Sequence, residues 1–142
     1  MTDQQILLVQ QSFAALAPDA EIIADIFYNR LFALEPKLEL MFPADLIEQK
    51  RKLMTTLEFA VESLEKMDRL TPALEALGRK HAGYGVRDAH YHIVGEALLE
   101  TLGEYLGKRF TANTRAAWAM MFFVVANVMK RAARNVQTPV FA

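Results

Sequence analysis

Along most of the chain apolar residues return every three or four positions with polar residues between them, the spacing that turns one side of an α-helix inward. No stretch alternates as a strand would, and there is no internal repeat or low-complexity linker. Thr2 or Asp3 is placed to cap a first helix running to about Leu16, and Pro18-Asp19 restarts the chain into a second. The second carries Ile22, Ile26, Phe27, Tyr28, Leu31 and Phe32 toward the interior. Pro36 ends it and permits a short helical turn to Phe42, after which Pro43 breaks the chain again.

A third helix is predicted from about Leu46 to Leu64. Its inward stripe is Gln49, Leu53, Leu57, Val61 and Leu64, with Lys50, Arg51, Glu58, Glu62 and Glu65 turned largely away. Gln49 is thus a polar residue at the beginning of an inward face. Thr71 as cap and Pro72 at the first position announce a fourth helix whose stripe is Leu70, Leu74, Leu77 and His81. Asp88 is the expected cap of a long helix to Leu106, with Gly107 as its terminator. Thr111 opens the last helix, which turns Trp118, Phe122, Val125 and Met129 inward and leaves a short tail from about Val136.

The fold class is therefore all-α. With 142 residues, 53% of them hydrophobic, the chain can bury one core and has little left for another, so a single domain over residues 1–142 is expected. A formal net charge of -1 gives no concentrated basic face, which argues against a nucleic-acid partner. The absence of cysteine excludes a disulfide, a thiolate metal site and a cysteine nucleophile. The N-terminus lacks the basic start and long apolar run of a secretion signal, and a cytoplasmic location is expected. The most apolar stretch, Ala116 to Met129, is interrupted by Asn127 and is shorter than the ~20 residues a bilayer-spanning helix needs, so it reads as a core helix.

His81 extends its apolar stripe at the spacing i, i+4, i+7, i+11, which directs its ring inward. A neutral imidazole there can bind a metal through one nitrogen while the other donates to a backbone carbonyl. On periodicity alone, a core histidine satisfied by hydrogen bonds is the commoner outcome. His90 and His92 stand two apart on a helix, point to nearly opposite sides and make a poor chelating pair.

Several fragments carry a family resemblance. Arg30-Leu31-Phe32-Ala33-Leu34-Glu35-Pro36 followed by Phe42 resembles the second and third helices and the corner of globins. Leu77-Gly78-Arg79-Lys80-His81, then Gly85-Val86 and Val94-Gly95-Glu96-Ala97-Leu98-Leu99, resembles the haem-ligating helix and its successor in neuroglobin-like and bacterial single-domain globins. Phe110-Thr111 with Thr114-Arg115-Ala116-Ala117-Trp118 resembles the opening of their last helix. Shared order and spacing across nearly the whole chain identify it as similar to this family. The resemblance implies a three-over-three helical sandwich with a short or absent D helix, and haem b as cofactor.

It also implies site residues. His81 is similar to the proximal histidine and Phe42 to the phenylalanine that packs on the haem near the corner. Gln49 holds the distal position, Tyr28 faces it from the second helix, and Leu53, Leu57, Leu77, Val86, Tyr91 and Val94 line the rest of the pocket. Lys52 is placed to reach a haem propionate at the pocket mouth. A hydroxyl and an amide turned inward have little use in a core that only packs, but both suit a partly anionic dioxygen ligand.

The function expected from these residues is reversible, high-affinity binding of dioxygen and other diatomic ligands such as carbon monoxide and nitric oxide. Glutamine ligates iron poorly, so a mainly five-coordinate ferrous form is expected. Nitric oxide dioxygenation with an external reductase, or gas sensing, is the alternative. The chain departs from the flavohaemoglobin pattern, where Tyr91 is similar to the family's proximal tyrosine but Ala133 stands in the place of its glutamate. That departure favours binding over turnover. A haem-free helical module would have little need of His81, Phe42, Tyr28 and Gln49 together.

Overall fold

A computed structural model describes residues 1–137, and every regular element among them is helical. Helix α1 (Asp3–Leu16) begins in a capping box: the Gln5 N–H donates to the Thr2 hydroxyl at 3.1 Å and the Thr2 N–H to the Gln5 carboxamide at 3.0 Å. A 3₁₀ turn at Ala17–Asp19 leads into α2 (Ala20–Leu34), and a second at Pro36–Met41 follows it. Then come α3 (Ile47–Glu62), α4 (Met67–Gly83), α5 (Asp88–Leu106), a third 3₁₀ turn at Gly107–Arg109 and α6 (Ala112–Gln137).

Helix α1 packs on α6 and α3, α2 on α5 and α3, and α6 on α4 and α5. Two layers result, α1, α3 and α4 over α2, α5 and α6, which is the three-over-three arrangement. No helix forms between the second 3₁₀ turn and α3, so the D helix is absent among the described residues. The layers are pinned by polar bonds as well as by apolar burial. The indole N–H of Trp118, fully buried, donates to the Ser12 hydroxyl at 2.7 Å, and that hydroxyl donates to the Leu8 carbonyl at 2.7 Å. The Tyr105 hydroxyl donates to the Asp19 carboxylate at 2.5 Å and ties the end of α5 to the α1–α2 corner.

Five local expectations are corrected. Ile22 is 52% exposed; Ile23 and Ala24 are buried on the face that Phe27, Tyr28 and Leu31 occupy as expected. Helix α4 starts at Met67, and Pro72 lies inside it. Burial of Leu70 and Leu74 on one stripe rewards the extra turn and outweighs the hydrogen bond that proline removes. Asp88 is not a cap but the first helical residue of α5; the ring of His90 accepts the Arg87 N–H at 2.9 Å and closes that end. Lys50, expected on a solvated face, is half-buried and bridges to Asp25. The length argument against a membrane span also fails, because α6 runs for 26 residues and Ala112–Asn135 is long and apolar enough to cross a bilayer. What marks α6 as a core helix is the stripe of Ala117, Trp118, Met121, Ala126 and Met129 buried against its neighbours.

Thr111 caps α6 as expected, accepting the Thr114 N–H at 3.2 Å. Gly107 ends α5 with φ 55, a left-handed backbone that favours glycine. The tail expected from about Val136 lies largely outside the described residues, since α6 continues through Gln137.

Candidate functional site

Helices α3 and α4 are consecutive, yet they are not a packed pair. Burial along them follows a gradient. Val61, Leu64, Leu70 and Leu74, near their junction, are 5% exposed or less, whereas Gln49, Leu53 and Leu57 on α3 and Leu77 and His81 on α4 are only half-buried. The two inward stripes are thus fully buried near their junction and only half-buried toward Gln49 and His81. These half-buried positions, with half-buried Val86 after α4, Val94 on α5 and Phe42 after the second 3₁₀ turn, mark the candidate cleft.

On the α4 side the His81 ring is held by its own helix. Its Nδ1 lies 2.9 Å from the Leu77 carbonyl oxygen. A carbonyl only accepts, so Nδ1 carries the proton, and in the neutral ring Nε2 keeps its lone pair. No hydrogen bond engages Nε2 among the described residues. Burial pushes the His81 pKa below the ordinary histidine value; the Leu77 bond opposes this and the Lys80 charge adds to it. The imidazole is thus neutral at physiological pH, the form that ligates a metal.

On the α3 side the Tyr28 side chain reaches in from α2. It is 4% exposed, and burial raises its pKa, while a hydrogen bond from the Gln49 side chain opposes the rise. The phenol therefore stays protonated. The Tyr28 ring is held edge-on by Phe27 at 5.2 Å and by Phe42 at 5.6 Å between centroids, and Phe32 packs on both Tyr28 and Phe42.

Direct contacts join His81 to Leu77 and Tyr28 to Phe42, while Gln49, Leu53, Leu57, Val86 and Val94 are half-buried. Lys52 stands apart, exposed three residues beyond Gln49, where its charge acts on Glu48. Tyr91 is buried, with Lys130 over its ring at 5.5 Å, and its hydroxyl is the one buried side-chain polar atom among the described residues that lacks a hydrogen-bond partner. His90 is spent on its cap and His92 pairs with Glu96 at 3.1 Å on the surface, so the two histidines form no metal site. No cluster of three or more His, Cys, Asp or Glu side chains that could hold a metal ion occurs among the described residues.

Sequence reasoning passed over Gly78. It is buried on α4, and a Cβ there would lie 2.3 Å from the Met129 carbonyl oxygen on α6. The available signal was a glycine inside a helix that does not break, which usually has a packing reason.

The sequence model described as Globin matches residues 25–129. This chain is a globin. Its relatives include neuroglobin-1 of Oncorhynchus mykiss, 30% identical over 92% of this chain and 91% of that protein. Neuroglobin of Tetraodon nigroviridis is 32% identical, with 87% of each chain covered. Among solved structures, a bacterial globin from Campylobacter jejuni superposes with a TM-score of 0.86 at 22% identity, covering 96% of this globin and 99% of that chain. An engineered carbene transferase from Rhodothermus marinus, which carries the provisional name of a nitric oxide dioxygenase, gives a TM-score of 0.87 at 26% identity and 96% coverage of both. The family resemblance and fold read from the sequence are borne out.

Membership in the globin family implies haem and a diatomic gas ligand. The residues of the cleft fit that group. A neutral imidazole whose Nε2 makes no hydrogen bond, among half-buried apolar side chains of α3, α4 and α5, is what a flat apolar cofactor with one metal position would use.

Proposed function

We propose that this globin binds dioxygen reversibly at the iron of a b-type haem that His81 Nε2 holds from one side, with Tyr28 and Gln49 donating hydrogen bonds on the other. The supporting observation is Tyr28 itself, a phenol only 4% exposed that is packed against Phe42 and whose proton loss the Gln49 side chain on α3 eases. A haem supplies one open coordination position and pushes electron density toward a ligand there. The chain does the rest. Leu77 orients the His81 ring, and Phe42 and the leucines and valines of the cleft exclude water. Lys52 is assigned to a propionate at the mouth, and Tyr91 to the cofactor's proximal side. Tyr28 and Gln49 offer two donors to a ligand that becomes partly anionic.

A hydrogen bond to a charged group contributes about 1.5 to 3 kcal/mol, or roughly ten- to a hundredfold in affinity. Tyr28→Phe tests the reading. Flash photolysis and stopped-flow measurements should show oxygen release accelerated by about that factor, with carbon monoxide release scarcely changed, because carbon monoxide is a weak acceptor. Equal acceleration of both gases would mean that Tyr28 shapes access only.

A second reading, nitric oxide dioxygenation with an external reductase, draws on the name of the Rhodothermus marinus neighbour and needs the same two donors. Ala133, buried on α6, offers no carboxylate to the proximal side, so the electron push through His81 is weaker and binding is favoured. Sustained nitrate production over many cycles of nitric oxide addition with a reductase would favour the enzyme. One stoichiometric oxidation leaves the binding role standing.

A further inference from the structure

We propose that Gly78 is a positioning residue: lacking a side chain, it lets the α4 backbone rest directly on the α6 backbone at Met129, and this contact sets how far the His81 ring projects from α6. The inference rests on the reading of His81 as the iron ligand and adds what holds that ligand in place.

A Cβ on Gly78 would lie 2.3 Å from the Met129 carbonyl oxygen, 2.7 Å from its Cα and 2.8 Å from its carbonyl carbon. All three are backbone atoms. No change of rotamer relieves the overlap, so one helix would have to move. The other glycines of the helical core differ: a Cβ on Gly95 would meet the Phe122 ring, which can turn, and one on Gly83, at the end of the same α4, would meet nothing within 4 Å. Glycine is among the least favourable residues inside a helix, and at 78 the close approach is what it provides.

Gly78 precedes His81 by three residues, and its neighbour Leu77 supplies the carbonyl that fixes the ring. Orientation and depth of the imidazole are thus set within one turn. Leu70 and Leu74 continue the same buried stripe and stop α4 from rotating about the contact.

The test is Gly78→Ala in the haem-loaded protein, with Gly83→Ala as the control on the same helix. Resonance Raman reads the iron–histidine stretching frequency of the ligand-free ferrous form, and transfer to an acceptor protein reads the rate of haem loss. Gly78→Ala should shift the frequency and speed haem loss roughly tenfold, the size expected for a core overpacked by one carbon. Gly83→Ala should leave both unchanged. In a His81→Gly background with free imidazole as ligand, Gly78→Ala should no longer move the iron–nitrogen frequency, because the ring is no longer carried by α4. A wild-type frequency in Gly78→Ala, or a shift that persists with the detached imidazole, would overturn the proposal.

If Gly78→Ala does not fold, the wild type compared with His81→Gly plus imidazole decides it. A ring held at a depth set by α4 should give a frequency different from that of a freely seated one, and equal frequencies would overturn the proposal. A His81→Gly protein that keeps the wild-type spectrum without imidazole reports a different failure, that of the ligand assignment itself.

Discussion

The Lys50 ammonium lies 2.9 Å from the Asp25 carboxylate, which ties α3 to α2 beside Gln49 and one turn before Tyr28. The ion pair joins, from the surface, the two helices that carry Tyr28 and Gln49. The outer contact is partly exposed and screened, so it contributes at most about 1 kcal/mol.

Lys50→Gln is therefore expected to lower stability by no more than about 1 kcal/mol in denaturant unfolding, and to speed oxygen release by less than about fivefold. Raising the salt concentration should bring the wild type toward the variant, because the pair is screened. A wild type insensitive to salt, alongside a strongly altered variant, would show that Lys50 acts by some route other than this ion pair.

Ser12 accepts from Trp118 in the interior between α1 and α6. Ser12→Ala leaves the buried indole N–H without a partner and should cost about 1 to 3 kcal/mol. Calorimetry of the haem-loaded protein should show the lower melting temperature, while the visible spectrum stays unchanged, since the bond is remote from the cleft.

The depressed pKa of His81 has a consequence for the haem-free protein. The unfolded chain takes up a proton near pH 6.5 while the folded ring, buried, resists until the pH is lower. The contribution of the neutral ring to stability is thus fully present above about pH 6.5 and is lost as the pH falls through the folded pKa. Urea titrations of the apoprotein from pH 8 downward should show this loss, and His81→Leu should flatten that part of the profile. An unchanged slope in the variant would assign the acid sensitivity to other groups.

The helices were legible because their apolar spacing is regular and their caps are local: Thr2 with Gln5, Thr111 with Thr114, and Gly107 at the end of α5 all do what short-range chemistry predicts. The start of α4 was not legible, because the local signal of Thr71-Pro72 was overruled by the burial of Leu70, a tertiary effect. The same holds for which of the neighbouring Ile22 and Ile23 is buried, since the apolar run at that end of α2 offers both. In the cleft, the inward direction of His81 followed from its stripe. Its bond to Leu77, one turn back on the same helix, is local as well, whereas the approach of Tyr28 to Gln49 depends on how α2 and α3 cross, about which periodicity carries no information. The bridge from Lys50 to Asp25 and the contact of Gly78 with Met129 join residues 25 and 51 positions apart, which no local pattern can pair.

The central claim is that one imidazole anchors the haem, and the absorption spectrum of the ligand-free ferrous protein reconstituted with haemin tests it most directly. The wild type should give the single broad visible band of five-coordinate haem, and His81→Ala should lose that band and bind haemin weakly. Unaltered haem uptake and unaltered bands in His81→Ala would contradict the account, as would the split bands of six-coordinate low-spin haem in the wild type.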